Sequence, residues 1–263
     1  IAYENLILFV INVAFTLGTY PLIYFIERFF GLTSDLTFME LLDTDHPLLK
    51  ELARKAPGTY QHSLQVANIA EEVAKRIGAN PVLVHVGALF HDIGKMARPE
   101  FFTENQKSET SPHDDLAPLE SARLIIEHVV HGAELARQRR LPDEIVEFIM
   151  THHGTSRVEF FFRKHLEQPL GTKPSDEALF RYPGPLPSTK ELAIVMLADS
   201  VEAAARCLDN PSGEDITRVV HSIIDTKISD HQLDDAQLTF HDLSVIKREL
   251  VALLQSIHHT RIK

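Results

Sequence analysis

Apolar positions recur at helical spacing along most of the chain, and no stretch alternates as a half-buried strand would. Leu48, Leu49 and Leu52 follow Pro47 in this way and are interrupted by Ala56-Pro57-Gly58-Thr59. From Tyr60 onward, Val66, Ile69, Ala70, Val73 and Ile77 form one stripe that Gly78 closes. Pro81 then opens a helix carrying Val82, Val86, Leu89, Phe90 and Ile93 as far as Gly94. Further helices are expected at about 118 to 131 and 142 to 153, and from 192 to 208 behind a Ser188-x-x-Glu191 capping box. The last two are expected at about 213 to 230 and 242 to 259. Two irregular stretches, about 104 to 115 and 168 to 187, separate them. The pattern predicts an all-helical bundle.

The first thirty residues differ. Residues 5 to 25 carry no charge and are dominated by Leu, Ile, Val and Phe, with Glu4 and Glu27-Arg28 at either end. About 20 apolar residues suffice to span a bilayer, and Tyr20 and Tyr24 suit its interface. Residues 1 to 30 are therefore expected to be a membrane helix and its exit, residues 31 to 55 a connector, and residues 56 to 263 the catalytic domain. Asn12 and Pro21 leave open a buried N-terminal helix instead. A chain of 263 residues beginning at Ile1 is expected to be part of something longer.

A formal net charge of -11 disfavours a broad surface for nucleic-acid polymers. One cysteine, Cys207, excludes a disulfide framework and a thiolate metal site. Fifteen histidines matter more, because of where they fall.

His91-Asp92 ends an otherwise apolar helix. Alone, the pair reads as well as a hydrogen bond in a core as it does as metal ligands. It does not stand alone. His62 lies on the stripe of the preceding helix, His128 among Ile125, Ile126 and Val129, His152-His153 just before Gly154, and Asp199 inside the apolar run Met196-Leu197-Ala198. A carboxylate there is costly unless paired or metal-bound. Seven such groups exceed the needs of one ion and suit two that share a carboxylate.

The order His62, His91-Asp92 and Asp199 resembles the motif set of the HD-domain phosphohydrolases, and His128 with His152-His153 resembles its two-metal branch. Flanking stretches narrow the resemblance: Ala56-Pro57-Gly58-Thr59-Tyr60-x-His62-Ser63, His91-Asp92-Ile93-Gly94-Lys95-Met96, Glu104-Asn105-Gln106, Arg181-Tyr182-Pro183-Gly184-Pro185 and Met196 to Glu202. Together these are similar to the cytoplasmic domain of the bacterial seven-transmembrane HD receptors, whose characterised members hydrolyse cyclic di-AMP. The branch that cleaves cyclic di-GMP carries Gly-Tyr-Pro after its paired histidines, where this chain has Thr155-Ser156-Arg157.

The resemblance implies an HD helical bundle at the membrane with its catalytic domain in the cytoplasm. It implies two divalent transition metal ions, Fe or Mn, one held by His62, His91, Asp92 and Asp199, the other by His128, His152 and His153 with Asp92 bridging. It implies a cyclic dinucleotide opened to 5'-pApA, with Asp92 and Lys95 catalytic. Lys95, Asn105, Gln106, Arg181 and Tyr182 become candidate substrate contacts. Plain alternatives stand beside these: a solvated lysine, a polar loop and a rigid turn. A homodimer is a candidate assembly. Rival functions are hydrolysis of another nucleotide (cyclic di-GMP, (p)ppGpp or a nucleoside triphosphate) and nucleotide sensing without turnover. His113-Asp114-Asp115 is read as a loop and helix cap.

Overall fold

The computed structural model describes residues 2–30, 35–106, 110–168 and 174–261. Among them the chain is helical, with one isolated bridge between Arg157 and Arg181 and no strand. It divides into Ile1–Glu40 and Leu41–Lys263.

In the first unit, α1 spans Ala2–Phe30 and α2 begins at Asp35 and ends at Leu41. Large side chains of α1 are exposed, among them Leu8, Phe9 and Phe15. Among the described residues, no helix is long and apolar enough to cross a membrane. The expectation of a span therefore rests on sequence, and the connector's residues 31 to 34 lie outside the described residues.

The second unit holds α3 (Pro47–Lys55), α4 (Pro57–Ile77), α5 (Pro81–Phe90), α6 (Pro118–Gln138), α7 (Asp143–Thr151), α8 (Glu159–Leu166), α9 (Lys190–Arg206), α10 (Gly213–Ser229) and α11 (Phe240–Arg261). α4 is the axis of the bundle, packed against α3, α5, α9 and α11, while α6 lies along the 3-10 turn Ile93–Ala97 and packs on α7 and α8. The stripe predicted for α4 is buried, as are Leu48, Leu49 and Leu52 of α3.

Several boundaries differ from expectation. α4 starts at Pro57, not at Tyr60, because proline is favoured at the first helical position and only Ala56 breaks the path. Ala56 offers no side-chain cap. The amides of Gly58 and Thr59 donate instead to Asn105 Oδ1, at 2.9 and 3.2 Å. The expected Ser188 box does not form: Thr189 caps α9, and Glu191 accepts from the backbone amide of Asn80. The short helix α8 was not expected. Asp114 and Asp115 do not cap α6, whose N-cap is Ala117; His113 is buried, with Nε2 2.9 Å from the Phe101 carbonyl.

Two glycines set how closely the segments approach. A Cβ on Gly94 would lie 1.9 Å from the His128 carbonyl oxygen, and one on Gly58 would lie 1.8 Å from that of Glu104. The first contact brings the turn after Asp92 against α6. The second brings the Glu104-Asn105 segment onto the start of α4.

Candidate metal centre

Five elements meet at the centre of the second unit. α4 supplies His62, and α9 supplies Asp199. His91 ends α5, and Asp92 leaves helical geometry with φ -108° and ψ 14°, starting the 3-10 turn. α6 supplies His128, and His152-His153 follow α7. The ligand-type atoms of these residues fall into two groups, His62-His91-Asp92-Asp199 and His128-His152-His153, each within 4.8 Å internally. All seven residues singled out in the sequence converge here.

Asp92 stands between the groups. Its Oδ2 lies 3.2 Å from His91 Nε2 and 3.7 Å from His62 Nε2, while Oδ1 lies 3.4 Å from His128 Nε2 and 3.6 Å from His152 Nε2. Asp199 is divided similarly: Oδ1 is 2.9 Å from His62 Nε2, and Oδ2 is 3.7 Å from His153 Nδ1. His91 Nε2 and both Asp92 oxygens are buried and lack a hydrogen-bond partner. Buried polar atoms left without hydrogen bonds are expensive, which is the condition a bound cation relieves.

The tautomers point the same way. His91, His128 and His152 each turn Nδ1 onto the carbonyl three residues earlier, at 2.6, 2.5 and 2.7 Å. A nitrogen facing a carbonyl carries the hydrogen, so in the neutral rings Nε2 is a bare lone pair. Burial pulls His152 down to about 4, so it is neutral at physiological pH. His128 Nε2 and His152 Nε2 nevertheless face each other at 3.2 Å. Two lone pairs aimed at one point suit a shared cation. The residues thus fit divalent ions, and nitrogen-rich donor sets favour transition metals over magnesium.

Burial opposes the charge on Asp92, but Lys95 and His91 outweigh it and hold the carboxyl well below its usual range. Burial likewise opposes charge on His91, yet Asp92 and Asp199 raise it to about 10. At pH 8 the metal-free site therefore holds a proton on His91, which a metal must displace because only the neutral ring ligates. Metal uptake at pH 8 is expected to release protons and to weaken as pH falls. Calorimetry in buffers of different ionisation enthalpy checks this; a heat that does not depend on the buffer would remove His91 from the ligand set.

The candidate substrate contacts divide. Lys95 sits at the centre, with Nζ 2.7 Å from Asp92 Oδ2 and 2.9 Å from Glu104 Oε1. Burial opposes its charge, but Asp92 and Glu104 prevail and keep it an ammonium. Tyr182 is buried against His153, with ring centroids 4.3 Å apart. Asn105 is committed to α4, since it also donates to Thr59 Oγ1 at 2.8 Å. Gln106 donates to the Glu100 carbonyl. Arg181 is held by Glu177, Asp230 and the Thr155 carbonyl. For these three, the hydrogen bonds formed serve the scaffold.

Three residues carry no role in the sequence reading, although Glu104 and Glu202 lie within its flanking stretches. Glu104 buttresses Lys95. Glu202, one turn after Asp199, lies behind His62, with Oε2 2.5 Å from Nδ1. Lys227 of α10 donates to Ser156 Oγ at 2.7 Å, three residues beyond His153, and burial lowers its ammonium to about 8. Glu202 had a signal, a carboxylate on the same apolar helix face as Asp199. Lys227 had none.

The family model for the HD domain matches residues 59–204, which include all seven converging residues. The chain is 44% identical over 239 residues to cyclic-di-AMP phosphodiesterase PgpH of Bacillus subtilis, covering 91% of this chain and 33% of that protein. It is 42% identical over 250 residues to PgpH of Listeria monocytogenes, covering 95% and 34%. The chain thus spans about a third of the curated relatives it matches. The crystal structure of the L. monocytogenes phosphodiesterase PgpH HD domain in complex with cyclic di-AMP superposes with a TM-score of 0.78 at 42% identity, covering 82% of this chain and 99% of that one. By the span of that match and the helices that carry it, the chain belongs to the HD domain family.

Proposed function

We propose that this chain is a metal-dependent phosphodiesterase that hydrolyses cyclic di-AMP to 5'-pApA. The observation that carries the chemistry is Asp92, whose two oxygens lack hydrogen bonds and face two separate groups of ligand-type atoms. The substrate assignment is supported by the solved relative in complex with cyclic di-AMP, 99% of which matches 82% of this chain.

In this reading His62, His91, Asp92 and Asp199 hold one ion, and His128, His152 and His153 hold the second with Asp92 shared. Such ions, iron or manganese, would polarise a phosphoryl oxygen and lower the pKa of water. The remaining work falls to the protein. Lys95 keeps Asp92 Oδ2 oriented and adds a positive charge where a phosphodiester would bind. Of the seven, His153 has the most exposed side chain, at 21%, so the site opens on its side, where Tyr182 stacks and Lys227 approaches Ser156. We assign Tyr182 to holding His153 and Lys227 to phosphate. Asn105 and Arg181 become scaffold residues, and Gln106 is left without a substrate role. Burial of the donors excludes water, which strengthens their effect on charge developing as the 3' oxygen leaves.

Residues 1–30 are carried in the proposal as the membrane helix, 31–55 as connector and 56–263 as the cytoplasmic catalytic domain. Support comes from the unbroken helix Ala2–Phe30, with no charge between residues 5 and 25 and with Phe15 75% and Phe25 66% exposed. A surface of that kind is costly in water.

The test is kcat/KM for cyclic di-AMP, cyclic di-GMP, (p)ppGpp and nucleoside triphosphates on one metallated sample. Cyclic di-AMP is expected to be cut fastest, with 5'-pApA as product. Faster turnover of another nucleotide would overturn the substrate, and binding without turnover would replace the enzyme with a sensor.

A further inference from the structure

His62 is oriented differently from its neighbours. His91, His128 and His152 use neutral carbonyls of their own helices to fix Nδ1. His62 uses a carboxylate from another helix, Glu202 Oε2 at 2.5 Å, and both residues are buried, with 3% and 2% exposure. Asp199 and Glu202 sit one turn apart on α9, so that helix grips the ring from both sides: Asp199 Oδ1 at Nε2 (2.9 Å) and Glu202 Oε2 at Nδ1.

A carboxylate behind a ligating imidazole fixes its tautomer and raises its basicity, more than a neutral carbonyl does. The two groups are also unequal in charge. The first contains Asp92 Oδ2 and Asp199, with Glu202 behind them. The second contains three imidazoles, faced by the other oxygen of Asp92 and, more distantly, by Asp199 Oδ2 at 3.7 Å from His153 Nδ1, so the first keeps the larger share of carboxylate charge. Cation affinity should follow that negative charge.

We propose that Glu202 is a positioning residue that, through His62, makes the His62-His91-Asp92-Asp199 position the tighter of the two, so that the ions load and leave in a fixed order. This rests on the two-metal reading above. A one-metal form of the protein then has its ion in the first position, and the second position is the one that responds to metal supply.

The experiment follows manganese(II) on the full chain by elemental analysis while the chelator concentration is raised in steps. Wild-type protein is expected to lose metal in two stages, with a plateau at one ion per chain. Glu202→Gln keeps the size and an oxygen that accepts from Nδ1, but removes the charge. It should weaken the tighter stage by about 10–100-fold and leave the weaker stage in place, shortening the plateau. Glu202→Asp retains charge at a longer reach and should fall between the two. A variant that merely loosens the fold would weaken both stages together. Placement is checked in a His128→Ala background, which should retain the tight ion alone and lose it on adding Glu202→Gln.

An unchanged release curve in Glu202→Gln, or equal weakening of both stages, overturns the role of Glu202. Single-stage release from wild type overturns the ordering. Wild-type protein that never exceeds one ion per chain overturns the two-metal reading itself, a result distinct from the others. If Glu202→Gln does not fold by circular dichroism, Glu202→Asp decides by the same curve.

Discussion

Asp92→Ala is expected to abolish phosphodiester hydrolysis, lowering kcat by more than about 10³-fold, since losing one preorganised stabilising group alone commonly costs about 10²–10³-fold. The change removes a side chain whose two oxygens lie between the two groups of donors. It also leaves the buried Lys95 with Glu104 as its remaining carboxylate partner and removes the strongest opposite charge beside His91. Leaving those partners unmatched should cost the metal-free protein about 1–3 kcal/mol, short of unfolding it. Two measurements separate lost chemistry from lost structure. Circular dichroism should remain helical, and the melting temperature should no longer rise when manganese is added, because an ion that binds only the folded state stabilises it by mass action. Near-normal turnover in a folded Asp92→Ala protein would remove Asp92 from the mechanism.

The second large effect comes from a residue with no side chain. Gly94→Ala would place a methyl group 1.9 Å from the His128 carbonyl oxygen and 2.6 Å from the Gly132 amide nitrogen. Both are backbone atoms of α6, so no rotamer change relieves the clash, and the 3-10 turn and the helix must separate. The cost is expected to exceed the ~1–3 kcal/mol typical of overpacking. That corresponds to a fall in melting temperature of at least roughly 6 °C for a domain of this size. The shift also draws Asp92 away from His128 and His152, so metal content should drop toward one ion per chain. A wild-type melting curve with two ions retained would show that α6 and the turn do not need this approach.

Sequence reading was strongest where one helix's own periodicity decides the outcome. The stripe through Val66, Ile69 and Val73 placed His62 on the buried face, and the apolar runs around His128 and Asp199 did the same. It was weakest where partners lie far apart in the chain. Asn105 is polar and on a loop, which suits substrate binding, yet its oxygen completes the start of a helix 46 residues away. Arg181 reads as a phosphate ligand until Asp230, 49 residues on, is seen beside it. Nearer at hand, Glu177 precedes Arg181 by four residues and was a visible ion-pair partner. Pro57 was read as a breaker because proline stops a helix and also starts one, and only the path of Ala56 distinguishes the two.

The carbonyl clamps on His91, His128 and His152 bear on how fast ions exchange. Each ring is fixed by a bond within its own helical turn, so three donors are aimed inward whether or not an ion is present. An ion can then enter by shedding water onto the aimed nitrogens, displacing the proton held on His91, and leave by the reverse route, without the helices parting. Its residence time is governed by ligand exchange and not by unfolding. On the proposed function, one polypeptide would therefore pass through several occupancies in its lifetime, and its rate of turnover would track the ions supplied around it.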